Sequence, residues 1–445
     1  MRDLSGSRLA LAAAAAALIL LSAPAQADLD SYLGKPEPVY RWEKRGEEVR
    51  DGCRVYELLL VSQVWQGIPW EHRIQVFRPE NPAYPRFCSL RSVGGKPGER
   101  STEAGIRLAL DSGAVAAIVH DVPNQPLFGG KTEDELVVHT WLEYLSTGDE
   151  SWPLHFPMAK AVRKAMDAIQ ASTREEGFLE ITGFLVHGSS KRGWTAWLAG
   201  ASRDARVKAI APMVIDVLNL HRQRAHQLEV YGALSEEVDE YSSAGIPEKL
   251  STPAGRRLVK LEDPYSYRRR LTLPKLLILG TNDRYWTLDA LNLYWDGLRG
   301  PKWVLYAPNS GHGLEDRERV DATLAAFTRM VARGGRWPQM RWSHREGKDG
   351  VRLSLRSDPP PAGARLFRAE AKTRDFRDSA WSFEPMERTG DVFTALAPLP
   401  PDGHAAIFGE AVFDLDGRPF TLSTQIRILG SGGRGRRVRG GGGGD

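Results

Sequence analysis

The sequence predicts an α/β protein: a doubly wound, mostly parallel sheet with a cap insertion, followed by a C-terminal β-sandwich-like domain. Three observations predict it. From about residue 87 to residue 333, short apolar runs alternate with longer helix-forming stretches, the rhythm of strand, helix and strand units. Near the middle, the apolar run 181–186 passes almost directly into Gly188-Ser189-Ser190-Lys191-Arg192-Gly193 and then into good helix formers: a strand, a sharp turn and a helix. Beyond Gly334-Gly335 the texture changes to short alternating runs broken by Pro and Gly, which reads as antiparallel β structure.

In chain order, 56–65 and 72–77 are extended runs around Gln66-Gly67-Ile68-Pro69, the makings of a hairpin. Residues 87–93 predict a strand that stops at Gly94-Gly95, 102–112 an amphipathic helix, and 115–119 a strand. Helices are expected over 132–146 and 158–173, before the central strand and turn, and another strand over 207–215. At 216–270 the rhythm breaks into a polar, helix-prone insertion placed where a cap over the site is expected. His221 and His226 within it are five apart, unlike the i, i+4 pair of zinc enzymes, and read as ordinary cap residues. The rhythm resumes with a strand at 275–279, a helix at 288–298, a strand at 303–306 and a helix at 315–333. The expected divisions are an α/β domain over 28–336 and a β-rich domain over 337–430, and no internal repeat is visible.

A serine at the apex of a strand-to-helix turn is held in a strained conformation, its hydroxyl exposed above the sheet and the next N–H free to hold an oxyanion. Strand and helix approach closely there, so the residue two before the nucleophile must be small. Gly188 fills that place for Ser190, whereas Ser189 would put bulky His187 there. The second small residue is delayed, with Arg192 in its usual place and Gly193 after it, so the match is Gly-x-Ser-x-x-Gly. This is the nucleophile elbow of the α/β-hydrolases.

Two later loops complete the pattern. Asp283 follows the strand 275–279, and His312 follows the strand 303–306, so the order is Ser, Asp, His along the chain. Ser190 is expected to attack a carbonyl, His312 to take and return its proton, and Asp283 to orient the imidazole. The backbone N–H groups of Lys191 and of the Gly94 region are the expected oxyanion donors, worth about 3–4 kcal/mol each. Asp216, at the end of the preceding strand, is the alternative acid. Each residue also has a structural reading: Asp283 as a helix cap, His312 in a Gly-His-Gly turn, and Trp194 and Trp197 as core.

The chain has 445 residues, 42% hydrophobic and 26% charged, the balance of a globular protein with a large core. A net charge of +4, part of it in the Gly/Arg tail at 431–445, gives no case for a nucleic-acid partner, and the tail reads as disordered. Arg2 and Arg8 precede an apolar run and an Ala-Gln-Ala site ending at Ala27, so 1–27 is expected to be a signal peptide. The run is shorter than the ~20 residues a membrane span needs, so no stable membrane insertion is expected after cleavage, and the protein is expected to be exported to the periplasm or beyond. Cys53 and Cys88 would then meet an oxidising compartment where a disulfide is allowed, or remain separate buried thiols. Neither cysteine has neighbours at metal-ligand spacing; no metal and no cofactor are expected.

Gly188-Ser189-Ser190-Lys191-Arg192-Gly193-Trp194-Thr195, Val122-Pro123-Asn124-Gln125-Pro126-Leu127, Pro157-Met158-Ala159-Lys160, Pro212-Met213-Val214-Ile215-Asp216 and Gly280-Thr281-Asn282-Asp283 together resemble the PhoPQ-activated pathogenicity-related protein family. The resemblance runs over about 40–428 and implies an α/β-hydrolase fold with a β-rich C-terminal part. The serine motif is also similar to that of glucuronoyl esterases, with Lys191 in their basic position. The expected function is an exported serine hydrolase acting on an unknown acyl substrate, a peptide or a carbohydrate ester. The alternative is a non-catalytic binding or envelope-maintenance protein on a hydrolase scaffold, motivated by Arg192 in the small-residue position.

Overall fold

The computed structural model describes residues 28–431; the expected signal peptide and the Gly/Arg tail from 432 onward lie outside the described residues. The described part opens with helix α1 (Leu29–Gly34) and three long strands, β1 (Arg41–Arg50), β2 (Cys53–Trp65) and β3 (Ile68–Pro79). Next come β4 (Tyr84–Ser92), α2 (Glu99–Ser112), β5 (Ala114–Val119), α3 (Glu133–Thr147), α4 (His155–Glu175), β6 (Gly183–Ser189), α5 (Lys191–Ala201) and β7 (Val207–Met213). The insertion holds α6 (Leu220–Tyr231), α7 (Asp239–Ser243), α8 (Ile246–Lys249) and α9 (Pro253–Glu262), after which β8 (Lys275–Gly280), β9 (Lys302–Ala307) and α10 (Arg317–Ala332) finish the α/β part. The rest is β: β10 (Gln339–Gly347), β11 (Gly350–Asp358), β12 (Gly363–Ala371), β13 (Ser382–Pro385), β14 (Glu387–Thr389), β15 (Val392–Ala397), β16 (His404–Leu415), β17 (Arg418–Ser423) and β18 (Arg427–Gly430).

The main sheet runs β1-β2-β3-β5-β4-β6-β7-β8-β9. From β5 to β9 every neighbour is parallel, whereas β1, β2 and β3 enter antiparallel. Strand β5 (Ala-Val-Ala-Ala-Ile-Val) is buried along its whole length, as a parallel strand covered on both faces must be. Helices α4 and α5 cover one face, α2 and α10 the other. The hairpin between β2 and β3 turns at Gln66 and Gly67, both at positive φ, the backbone that suits a two-residue hairpin. All the parallel strands deliver their carboxyl ends to one edge, where such a sheet places its ligands.

Three outcomes differ from the sequence reading or extend it. Residues 288–298 form two short 3₁₀ turns, Ala290–Leu293 and Trp295–Gly297, instead of the expected helix. Tertiary contacts override propensity there. Asn292 donates to the Ile426 carbonyl, Tyr294 donates to Asp216, and a Cβ on Gly297 would fall 2.1 Å from the Tyr265 hydroxyl. Strand β1 went unread because both of its sides carry charge; it is an exposed edge strand, and charges there discourage pairing with another chain. Cys53 and Cys88 are free, buried thiols. Two strands, β3 and β5, lie between theirs, about 14 Å of sheet at the usual strand spacing, twice what a disulfide spans.

The C-terminal strands build two sheets. One, β10-β11-β15-β14, stands apart; the other, β17-β16-β12-β13, joins β9 where Ser423 lies opposite Val304, so the main sheet continues into it. Leu353, Leu355 and Phe393 share a buried cluster with Ile407 and Leu422 and with Leu305 and Phe327 of the α/β part. Glu410, fully buried, is paired with Arg319 of α10 and Arg365 of β12, which ties the two parts by charge as well. No helix among the described residues is long and apolar enough to cross a membrane.

Candidate active site

Ser190 stands between β6 and α5 with φ 56° and ψ −127°, a backbone that an L-residue adopts only under constraint. The constraint is close packing. A Cβ on Gly188 would come within 2.7 Å of Arg192 Cβ, and one on Gly193 within 2.9 Å of both the Gly188 and the Met213 carbonyl oxygens. The Ser190 N–H donates to the Met213 carbonyl at 2.9 Å, which fixes the turn against β7. Lys191 is the first helical residue, so its N–H has no intrahelical acceptor and is available to an oxyanion.

Arg192, which the sequence pattern left unexplained, is held by Val122 and Glu133. Its Nε donates to the Val122 carbonyl at 2.6 Å, and its Nη1 and Nη2 bind the two oxygens of Glu133 at 2.6 and 2.7 Å. The guanidinium lies over Gly94, where a Cβ would fall 1.8 Å from Nη2, so Gly94 is required to be small by Arg192. Burial alone would raise the Glu133 pKa, but the hydrogen-bonded Arg192 with Lys191 beside it outweighs burial and holds it at about 2. Lys191 Nζ reaches Asp134 Oδ2 at 2.9 Å, and Tyr241 of α7 donates to the other oxygen of Asp134 at 2.9 Å. Glu133 and Asp134 escaped the sequence reading because acidic residues in the first turn of a helix, as these are in α3, are ordinary there.

His312 sits in the loop after β9, its Nδ1 2.9 Å from Asp283 Oδ2. The other oxygen of Asp283 accepts the Tyr285 N–H at 3.0 Å, and the Tyr285 ring leans on the imidazole with centroids 4.3 Å apart. The structure thus brings Asp283 and His312 together. It shows no hydrogen bond between Ser190 and His312; Tyr285, which lines the same cavity as Ser190, is the neighbour they share. Asp216 is placed elsewhere: its carboxylate accepts from the Tyr294 hydroxyl at 2.6 Å, and burial pushes its pKa up to about 7.

The loops bearing Asp283 and His312 are packed backbone to backbone. Asn282 N–H donates to the Ser310 carbonyl at 2.9 Å, Asn309 N–H to Thr281 Oγ1 at 2.9 Å, and a Cβ on Gly280 would strike the Ser310 and Gly311 carbonyl oxygens at 2.4 Å. Both loops are also held by the C-terminal part. Asn282 Nδ2 donates to the carbonyls of Arg377 and Ser379, at 3.1 and 2.8 Å, and Asn309 exchanges two hydrogen bonds with the Trp381 backbone, at 3.0 and 2.7 Å. The same segment grips the cap through Arg377 with Glu236 and Arg374 with Glu229, at 2.6 and 2.8 Å.

A sequence model of the PhoPQ-activated pathogenicity-related proteins matches residues 29–377. The chain belongs to this family. The match to the PhoPQ-activated pathogenicity-related family takes in the elbow, the cap and both loops. A curated relative, autocrine proliferation repressor protein A of Dictyostelium discoideum, is 30% identical over 347 residues, covering 73% of this chain and 70% of that protein. Among solved structures, an acetyl xylan esterase from Paenibacillus sp. R4 superposes with a TM-score of 0.46 at 15% identity, over 68% of this chain and 91% of its own. An S-formylglutathione hydrolase from Agrobacterium tumefaciens does so with a TM-score of 0.44 at 15% identity, over 65% and 99%. The order and direction of the strands around the elbow are those of an α/β-hydrolase.

Two cavities compete for attention in this family member. One of about 880 Å³, between Tyr84, Lys208, Trp303 and Arg336, opens at the amino ends of the parallel strands, away from the loops just described. The other, about 120 Å³, is lined by Ser190, Lys191 and Tyr285 under the cap, at the carboxyl ends. Position on the sheet favours the smaller one. Among the described residues no group of three or more His, Cys, Asp or Glu side chains could hold a metal ion.

Two predictions follow from these contacts. Gly193→Ala must push α5 off β6 and β7, and denaturant unfolding is expected to show a loss of about 1–3 kcal/mol. Asp216 has an ordinary pKa of 3.8 and a folded-state value of about 7, so the native state keeps a proton that the unfolded chain releases. Its contribution is complete below about pH 4 and is lost as pH rises through 7. Asp216→Asn keeps the acceptor for Tyr294 and removes the titration. Urea unfolding at pH 4.5 and pH 8 is expected to show the variant gaining on the wild type toward pH 8, by about 3 kcal/mol.

Proposed function

We propose that the protein is an exported serine hydrolase that cleaves an ester or amide through an acyl-enzyme. The observation that carries this is Ser190 itself: a positive-φ serine wedged by Gly188 and Gly193 at a strand-to-helix turn, a strain of about 1–3 kcal/mol that nothing in a plain turn requires. The paired His312 and Asp283 support it, carried on two loops bonded to each other at the same edge of the sheet.

In the first step His312 Nε2 takes the Ser190 proton as Oγ bonds to the carbonyl carbon, and the imidazolium then gives that proton to the departing alcohol or amine. Asp283, accepting from Nδ1–H, holds the tautomer that leaves Nε2 free and stabilises the cation. Water repeats the sequence on the acyl-enzyme. The Lys191 N–H serves as one oxyanion donor and an N–H of the Gly94 region as the second; each strengthens its hydrogen bond as charge grows on oxygen. No metal and no organic cofactor enters these steps. Export rests on the sequence of 1–27; cleavage after Ala27 leaves Asp28 free to cap α1, where its carboxylate accepts the Ser31 N–H at 2.8 Å.

An idle scaffold is the alternative that Arg192 suggests; its pairing with both oxygens of Glu133 gives that side chain a structural role and so supports the catalytic reading. The test is steady-state hydrolysis of short-chain esters. Ser190→Ala and His312→Ala are each expected to lower kcat by about 10⁴- to 10⁶-fold with the fold intact by circular dichroism. Wild-type turnover by either variant overturns the mechanism.

A further inference from the structure

The cavity beside Ser190 differs in kind from what a sugar needs. Its walls are Trp141 and Trp194 from the body, Ile215 after β7, Val238 and Tyr241 from the cap, and Trp286 from the loop bearing Asp283. Most of the polar side chains that reach it are held by protein partners. Asp134 is closed by Lys191 and Tyr241; Gln223 donates to the Leu218 carbonyl, and Gln227 donates to the Tyr285 carbonyl while accepting from Ser235 N–H. Gln223 Oε1, Arg224 Nε and the indole nitrogens of Trp141 and Trp286 have no partner, but each is shut off from solvent, and Arg224 Nη2 is bonded to Glu248 at 3.1 Å, so an occupant meets mostly carbon.

We propose that the substrate carries an uncharged apolar group, the size of one aromatic ring or a four- to six-carbon chain, beside the scissile carbonyl, and that this cavity binds it. The proposal rests on the serine-hydrolase reading and names the substrate class of that site. Size sets the scale of the part that is buried: the space is about 120 Å³, and an apolar protein cavity of ~150 Å³ holds benzene. Chemistry sets the class. A buried hydroxyl without a partner is costly, and a sugar ring would bring several, whereas an alkyl or phenyl group gains from leaving water. Of the two substrate classes open to the sequence, this favours an apolar acyl, or an amide with an apolar side chain, over a carbohydrate ester. Val238, half-buried on the cap beside α7, stands at the cavity wall where its bulk sets the space available.

The experiment follows hydrolysis by pH-stat in two series with the mature protein. The first holds methanol as the alcohol and varies the acyl group through acetate, butyrate, hexanoate and phenylacetate. The second holds acetate and varies the alcohol through methanol, butanol, hexanol and benzyl alcohol; methyl glucuronate, a methyl ester with a sugar acid as its acyl part, is the sugar arm of the first series. The expected result is a rise in kcat/KM of about 10- to 100-fold across one series, which assigns the side of the bond that enters the cavity. Val238→Trp is expected to collapse that ratio at least tenfold, with Val238→Phe between, and a ratio within one protein does not depend on how much of it folds. Ser190-dependent turnover that is flat in both series, or best on methyl glucuronate, overturns the cavity assignment while leaving the serine mechanism standing. Turnover that survives Ser190→Ala, or no turnover of any ester, overturns both.

Discussion

The close approach of α5 to β6 and β7 is the constraint on which the site depends. With no Cβ at 188 and 193, the helix can rest on the Gly188 and Met213 carbonyls, and Ser190 has no conformation left but the strained one. Rotating the serine out of the sheet plane also frees the first N–H groups of α5, so one packing event supplies both the exposed hydroxyl and the oxyanion donor. Arg192 follows from the same turn. Placed where a small residue is usual, it needs a partner and a gap, and Glu133 and Gly94 provide them.

A second layer of order comes from far away in sequence. The loops bearing Asp283 and His312 touch through Gly280 and the Ser310 carbonyl, and both are stapled by the backbone of residues 377–381. Arg377 of that segment, and Arg374 just before it, also bind Glu236 and Glu229 of the cap. The C-terminal part therefore does more than extend the sheet: the loop between β12 and β13 holds the loops of Asp283 and His312 together and ties the cap to them. A histidine and an aspartate on free loops would lose side-chain and backbone entropy each time they paired; here that ordering is part of folding.

What was legible in the sequence is what is local. Gly188, Ser190 and Gly193 lie within six residues, and the steric rule that relates them operates over that span. The strands from β4 to β9 were readable because a doubly covered strand is apolar throughout. The 288–298 stretch was misread because its conformation is decided by Ile426, Asp216 and Tyr265, none of them near in sequence. Strand β1, charged on both sides, has no period to read. Asn282 and Asn309 looked like ordinary turn residues, since their partners lie some seventy to a hundred positions downstream. Choosing between Asp283 and Asp216 likewise needed coordinates: the two sit at the ends of neighbouring strands, and the difference is that Asp216 meets Tyr294 while Asp283 meets His312.

The central claim is that Ser190 is an activated nucleophile. Its most direct test is incubation of the folded mature protein with a fluorophosphonate, followed by peptide mass mapping, beside His312→Ala. The account predicts one probe adduct, on the peptide that contains Ser190, and none in the His312 variant. A folded wild-type protein that stays unlabelled, or an adduct on another residue, would contradict it.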